Sequence, residues 1–167
     1  MSIAAELIRD IEAEAVKTRA MLAVVPDGRL DWKPHEKSMT LGALASHLAE
    51  NPTWTSGMLE DEMDFAAMGD YRPFEGKNRA EILAGLERNL SACVAALRGR
   101  DDAFLNQPWT MRNGPKVLMK APRHAAIRGT AIHHWIHHRG QLSVYLRLLG
   151  VPVPQTYGPT ADAPAFG

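Results

Sequence analysis

The sequence predicts an all-α fold, a four-helix bundle with a small hairpin before the last helix. Three observations carry this. Four segments place apolar residues at spacings of three and four. Each starts at a capping residue or a first-turn proline, and all but the second stop at glycine or proline. A chain of 167 residues is long enough for one domain with a sizeable core. Residues 1–150 are assigned to the bundle, and residues 151–167 to an extended tail, rich in Pro, Ala and Gly, packed on or near it.

Ser2 caps the first helix, with Glu6 in its first turn. Its stripe is Ile3, Leu7, Ile11, Ala15, Thr18 and Leu22, and Pro26, Asp27 and Gly28 end it. Residues 30–37 read as an extended connector anchored by Trp32 and Pro34. Ser38 or Thr40 opens the second helix, whose face runs through Leu41, Leu44, His47 or Leu48, Asn51, Trp54 and Met58. Pro52 kinks this helix or marks its weakened middle. Residues 60–77 read as a loop with solvated acidic residues; Phe65, Met68, Tyr71 and Phe74 form a lid over the bundle mouth or pack against it.

Asn78 with Glu81 three residues on resembles a capping box at the start of the third helix. Ile82, Leu83, Leu86, Leu90, Val94 and Leu97 follow, and Gly99 suits the helix end. Cys93 lies beside this stripe with no electropositive neighbour, the setting of a packed thiol rather than a reactive one. Residues 101–120 lack a helical pattern, and Trp109 to Arg112, Asn113-Gly114 and Pro115 to Met119 resemble a hairpin. Pro122 opens the fourth helix, which runs to about Leu149 and stops at Gly150, roughly 40 Å at 1.5 Å per residue.

Composition narrows the function classes. Nineteen basic residues balance nineteen acidic ones, and no basic block stands out. A nucleic-acid partner is therefore not expected. A single cysteine excludes an internal disulfide and fits a reducing cytoplasmic setting. Residues 1–25 are too charged for a signal peptide or membrane span, so no membrane association is expected.

The chemistry concentrates in residues 132–141, Ile-His-His-Trp-Ile-His-His-Arg-Gly-Gln, which hold four of the seven histidines. His133 with His137, and His134 with His138, are i,i+4 pairs on a helix. Either pair places two imidazoles on one face, where they can share a metal ion. Ile127, Ala131, His134, His138, Leu142, Tyr145 and Leu149 form an otherwise apolar stripe, which makes His134 and His138 the inward pair. His47 on the second helix is the best third ligand. Glu50, three residues on, either orients an imidazole or is a solvated charge. Packed or surface histidines without a metal are the competing reading.

Leu44-Ala-Ser-His47-Leu and His134-Trp-Ile-His-His138-Arg-Gly-Gln141 resemble the DinB family, also called DinB/YfiT-like metalloenzymes. Leu-Arg-Leu-Leu-Gly150-Val-Pro and Tyr157-Gly-Pro resemble its C-terminal signature. The resemblance spans nearly the whole chain. It implies an up-down-down-up bundle, and a divalent metal held by His47, His134 and His138. Nickel or zinc is the leading choice, with manganese or iron as alternatives. It also implies a homodimer and a small-molecule substrate, in some relatives a low-molecular-weight thiol.

Three neutral imidazoles leave positions open for water or substrate. There is no His-Glu-x-x-His and no paired Glu-x-x-His, which argues against a zincin protease or a di-iron site. With no carboxylate base beside the pair, water or a thiol on the metal is the favoured nucleophile. Gln141 is expected to donate a hydrogen bond to a ligand or to bridge helices. Arg139 is expected to meet an anionic substrate or an acidic residue across the bundle. The expected function is a metal-dependent thiol transferase or hydrolase; a metal or small-ligand binding protein without turnover is the alternative.

Overall fold

The computed structural model describes residues 1–163. In chain order it comprises α1 (Ile3–Ala23), α2 (Leu41–Glu50), a short α3 (Trp54–Gly57), strand β1 (Glu62–Asp64) and α4 (Arg79–Leu97). These are followed by α5 (Asp102–Asn106), β2 (Pro108–Asn113), β3 (Lys116–Pro122), α6 (Arg123–Ala126), a π-helical segment (Ile127–His133) and α7 (His134–Leu148). The fold is mostly helical: α1 and α2 each pack against both α4 and α7. The last four residues of the expected tail lie outside the described residues.

The helix starts follow their capping chemistry. Ser2 accepts from the Ala5 N–H, Thr40 from the Ala43 N–H, and Asn78 from the Glu81 N–H. Glu81 accepts from the Lys77 N–H and from the Asn78 side-chain amide rather than from the Asn78 N–H, a capping box displaced by one residue. The α1 stripe is buried as its periodicity requires, from Leu7 through Ile11, Ala15 and Thr18 to Leu22. Cys93 has no exposed surface, and burial raises its thiol pKa, in keeping with a packing role.

The all-α expectation with a small hairpin is met in its helical part, but the hairpin belongs to a three-stranded sheet. A small sheet runs in the order β1-β2-β3, with β1 parallel to β2 and β2 antiparallel to β3. The β2–β3 hairpin lies where the sequence placed it, although its turn is Gly114-Pro115 rather than Asn113-Gly114. Gly114 takes a φ of +55°, as the first central position of a type II′ turn requires, and proline's negative φ suits the second. Strand β1 sits inside the segment read as a loop. Its three residues are too few to show alternation, and pairing with β2 supplies what the local sequence lacks. Helix α5 was also missed; Asp101 caps it through the Phe104 N–H.

Two expectations about the connectors also change. Trp32 packs edge-on against Tyr145, with ring centroids 5.7 Å apart, whereas Pro34 is exposed and anchors nothing. Helix α2 stops at Glu50 and gives way to a 3-10 turn (Asn51–Thr53) before α3, so Pro52 breaks the helix. Proline has no N–H for the Leu48 carbonyl four residues back. The indole of Trp135 takes that place and donates to Leu48 at 2.8 Å. A helix break in α2 thereby becomes a tether to α7.

The last helix is not a regular α-helix. Its π segment takes about one more residue per turn, so the buried face shifts along it. Ile127, Ala131, Leu142 and Tyr145 of the expected stripe are buried, but at its middle Ile132, Trp135 and Arg139 are buried in place of the two histidines, and Leu146 in place of Leu149. Beyond α7, Val153 is buried, Tyr157 reaches Arg139 and Glu14, and Asp162 pairs with Arg147.

Candidate metal centre

His47 projects from α2 one residue before Leu48; His134 lies one residue before Trp135 on α7. The bond between Leu48 and Trp135 therefore brings these two histidines together, their rings nearly perpendicular at 77°. Their Nε2 atoms lie 3.0 Å apart. His138, one turn further along α7, completes the group, with its ring centroid 4.6 Å from His47 and 4.3 Å from His134. One ring nitrogen from each of the three residues falls within 4.8 Å of the others. Nitrogens bound tetrahedrally to one ion at 2.0–2.1 Å are about 3.4 Å apart, so this donor set fits a single divalent cation. Among the described residues no carboxylate or thiolate joins the group.

All three rings are half-buried, whereas His133 and His137 are exposed. The choice of His134 and His138 as the inward pair therefore agrees with the geometry. The stripe used to make it agrees only in part: Ile127, Ala131, Leu142 and Tyr145 are buried, but the two histidines flank the buried face rather than lie in it.

Burial holds the His47 and His134 imidazoles at pKa values of about 4, and the neighbouring rings push them further from charge. His138 is lowered by the same burial, opposed by its hydrogen bond to Gln141. Near neutral pH all three are neutral, with lone pairs available to a metal. Gln141 Oε1 lies 2.6 Å from His138 Nδ1. An amide oxygen can only accept, so it fixes the proton on Nδ1 and leaves Nε2 as the free donor atom.

These shifts set a pH dependence for the metal-free protein. The unfolded chain protonates its histidines near 6.5, while the folded chain keeps His47 and His134 neutral down to about 4. The unfolded state binds more protons in that interval, so stability is complete above about 6.5 and falls as the pH drops toward 4. Thermal unfolding of chelator-treated protein should show a falling midpoint across this range. The slope should be shallower in His47→Ala and His134→Ala. A midpoint that rises on acidification would contradict the assignment.

Arg139 and Glu50 do not join the imidazoles. Arg139 is 2% exposed and donates to the Glu14 carboxylate, the Glu14 carbonyl, the Thr18 hydroxyl and the Tyr157 hydroxyl. Of its two expected roles, the pairing with an acidic residue across the bundle is the one observed. Glu50 is buried, not solvated; it accepts from the Tyr71 hydroxyl at 2.6 Å and the Phe74 N–H at 3.1 Å. It pins the 60–77 segment to α2 instead of orienting a histidine.

Sequence reasoning missed the role of Trp54. Its ring lies over His134 at 4.8 Å with a 30° tilt, and meets the edge of His47 at 5.4 Å. It forms one wall of the group. Its place on the expected second-helix face was legible, but it opens α3 instead, and the stacking depends on the 3-10 turn at Pro52, which turns the chain between His47 and Trp54.

A model of the DinB family matches residues 1–165. The chain belongs to the DinB family. A DinB-like protein from Bacillus cereus ATCC 10987 is 27% identical, with a TM-score of 0.69 over 90% of this chain and 95% of that one. YfiT from Bacillus subtilis, described as a probable metal-dependent hydrolase with an unusual four-helix bundle topology, is 18% identical with a TM-score of 0.62; the match covers 89% of this chain and 88% of YfiT. The uncharacterized protein YrdA of Bacillus subtilis strain 168 is 24% identical over 159 residues, 93% of this chain and 88% of YrdA. Within this DinB-family chain no helix of the described residues is long and apolar enough to cross a membrane.

Proposed function

We propose that the protein is a divalent-metal-dependent enzyme in which His47, His134 and His138 hold the ion. Nickel or zinc is the preferred metal, with manganese or iron as alternatives. The reaction is transfer of a low-molecular-weight thiol, or of water, to a small electrophilic substrate. The observation that carries this reading is the convergence of three neutral imidazoles with no carboxylate among them. A bound divalent ion would supply Lewis-acid chemistry, acidifying a thiol or water or polarising a carbonyl.

The chain's own groups support the reading. Three protein ligands leave coordination positions free for a reactant, unlike a closed structural site. Gln141 orients His138, and Trp54 shields one side of the imidazoles from solvent. Among the described residues no carboxylate joins the imidazoles to serve as a general base, which favours a nucleophile that loses its proton on binding. The description of YfiT as a probable metal-dependent hydrolase supports the water branch. The DinB resemblance supports the thiol branch, the up-down-down-up helix order and a homodimer, which sedimentation would test.

Metal analysis of tag-free protein, followed by assays of thiol transfer and ester or amide hydrolysis with the loaded form, tests the function. Turnover that requires both the metal and the three histidines is the expected result. Tight metal binding without turnover in either assay would favour the binding-protein alternative. Gln141→Ala should weaken metal affinity by roughly 10–100-fold, measured by chelator competition, because His138 loses its orienting acceptor. Unchanged affinity would reduce Gln141 to a surface contact.

A further inference from the structure

Beside the histidine group lies an apolar cavity of about 230 Å³. Four of the chain's eight methionines, Met58, Met63, Met68 and Met111, line it together with Trp54. They come from α3, β1, the turn after β1, and β2, so the small sheet and the 60–77 segment build a pocket the helices alone would not. Trp54 belongs to both sites: one side of the indole lies over His134, and the ring also borders the cavity.

Its construction is specific. A Cβ on Gly57 would come within 2.6 Å of the Met63 methyl, so glycine there lets Met63 lie against α3. The Tyr71 hydroxyl is engaged by Glu50, which removes the polar end of that side chain from the cavity it lines. Phe65 is 45% exposed and Met68 38%, an unusual exposure for large apolar side chains around a cavity. Unbranched thioether side chains adapt to apolar ligands of varied shape.

We propose that this cavity holds the apolar part, aliphatic or aromatic, of the substrate whose reactive group is held at the three histidines. The proposal rests on reading those histidines as a metal centre. At roughly 30 Å³ per non-hydrogen atom, the cavity takes about eight such atoms. Trp54 is the hinge of the arrangement, because a ligand leaving the imidazoles along its ring enters the cavity directly. The substrate class is accordingly a small molecule with a short apolar chain or single ring attached to the reacting group.

The test is a titration of zinc-loaded, tag-free protein carrying 13C-methyl methionine with n-alkyl thiols from ethanethiol to hexanethiol, followed by NMR. Affinity should rise about fourfold per added methylene. The methyl signals of Met63, Met68 and Met111 should move with the longer thiols, while that of the core residue Met21 stays fixed. Met68→Trp, which fills the cavity from an exposed position, should flatten the dependence on chain length. Affinity independent of chain length, or shifts that spare these three methyls, overturns the pocket while leaving the metal centre standing. The same titration of zinc-free protein separates the two readings. If zinc fails to bind but hexanethiol still moves the three methyls, the metal centre falls and the apolar site survives; if the methyls stay still, the apolar site falls too.

Discussion

Replacing His134 with alanine should empty the metal centre, while replacing its neighbour His133 should leave it intact. Tag-free wild-type protein is expected to carry about one divalent ion per chain, and His133→Ala the same. His134→Ala leaves two imidazoles and should lower affinity by more than about 100-fold, beyond the loss typical of an orienting partner. Elemental analysis after dialysis against a mild chelator reads this directly. The contrast is sharp because adjacent helical residues point about 100° apart: His134 faces His47, and His133 faces solvent. Metal lost only from His133→Ala would mean that α7 is rotated from the orientation described. No metal in any form, even after reloading, would leave the triad as a buried polar cluster.

The second large effect is expected at Arg139. Arg139→Ala removes the buried partner of a nearly buried carboxylate and leaves it only the more exposed Lys17 and Tyr157; breaking such a pair costs about 3 kcal/mol or somewhat more. Burial pulls the Glu14 pKa up, but hydrogen bonds from Tyr157, Lys17 and Arg139 and the Arg139 charge hold it below its usual value. For a chain of this size the loss corresponds to a fall in Tm of about 10 °C. Arg139→Met combined with Glu14→Leu should recover most of it, since the unpaired charge is gone as well. Thermal unfolding of the single and double variants checks this. A near-neutral Arg139→Ala would show that the pair carries little of the stability and would reopen a role for Arg139 toward an anionic substrate.

Much of this was legible in the sequence because it is local. Helix starts at Ser2, Thr40 and Asn78 depend on side chains that reach only three residues along the chain. The α1 core stripe is a periodicity within one helix, and the His134–His138 pair is a spacing of four. What the sequence hid depends on partners distant in the chain. Strand β1 exists through its pairing with β2, some fifty residues on. Glu50 looks like a surface charge until Tyr71 and the Phe74 N–H close over it. The tether from Trp135 to Leu48 needs both the amide hydrogen missing at Pro52 and a helix arriving from the other end of the molecule. Periodicity places His134 and His138 in the buried face, whereas the structure buries their neighbours Trp135 and Arg139 there and leaves the two imidazoles half-buried at its edge.

The π segment also changes how distance along the last helix is counted. Arg123, at its entrance, is fixed by donating to the carbonyls of Met58 and Glu60. Trp135 and Arg139, beyond it, are fixed to α2 and α1. Between these anchorages the seven π-helical residues absorb a surplus of winding. The segment acts as a vernier between two clamps. Deleting one residue from it would turn everything downstream by about 100° relative to Arg123. The spacing from the hairpin to the histidines is thus a phase setting, and an insertion or deletion there acts on the imidazoles as surely as a substitution among them.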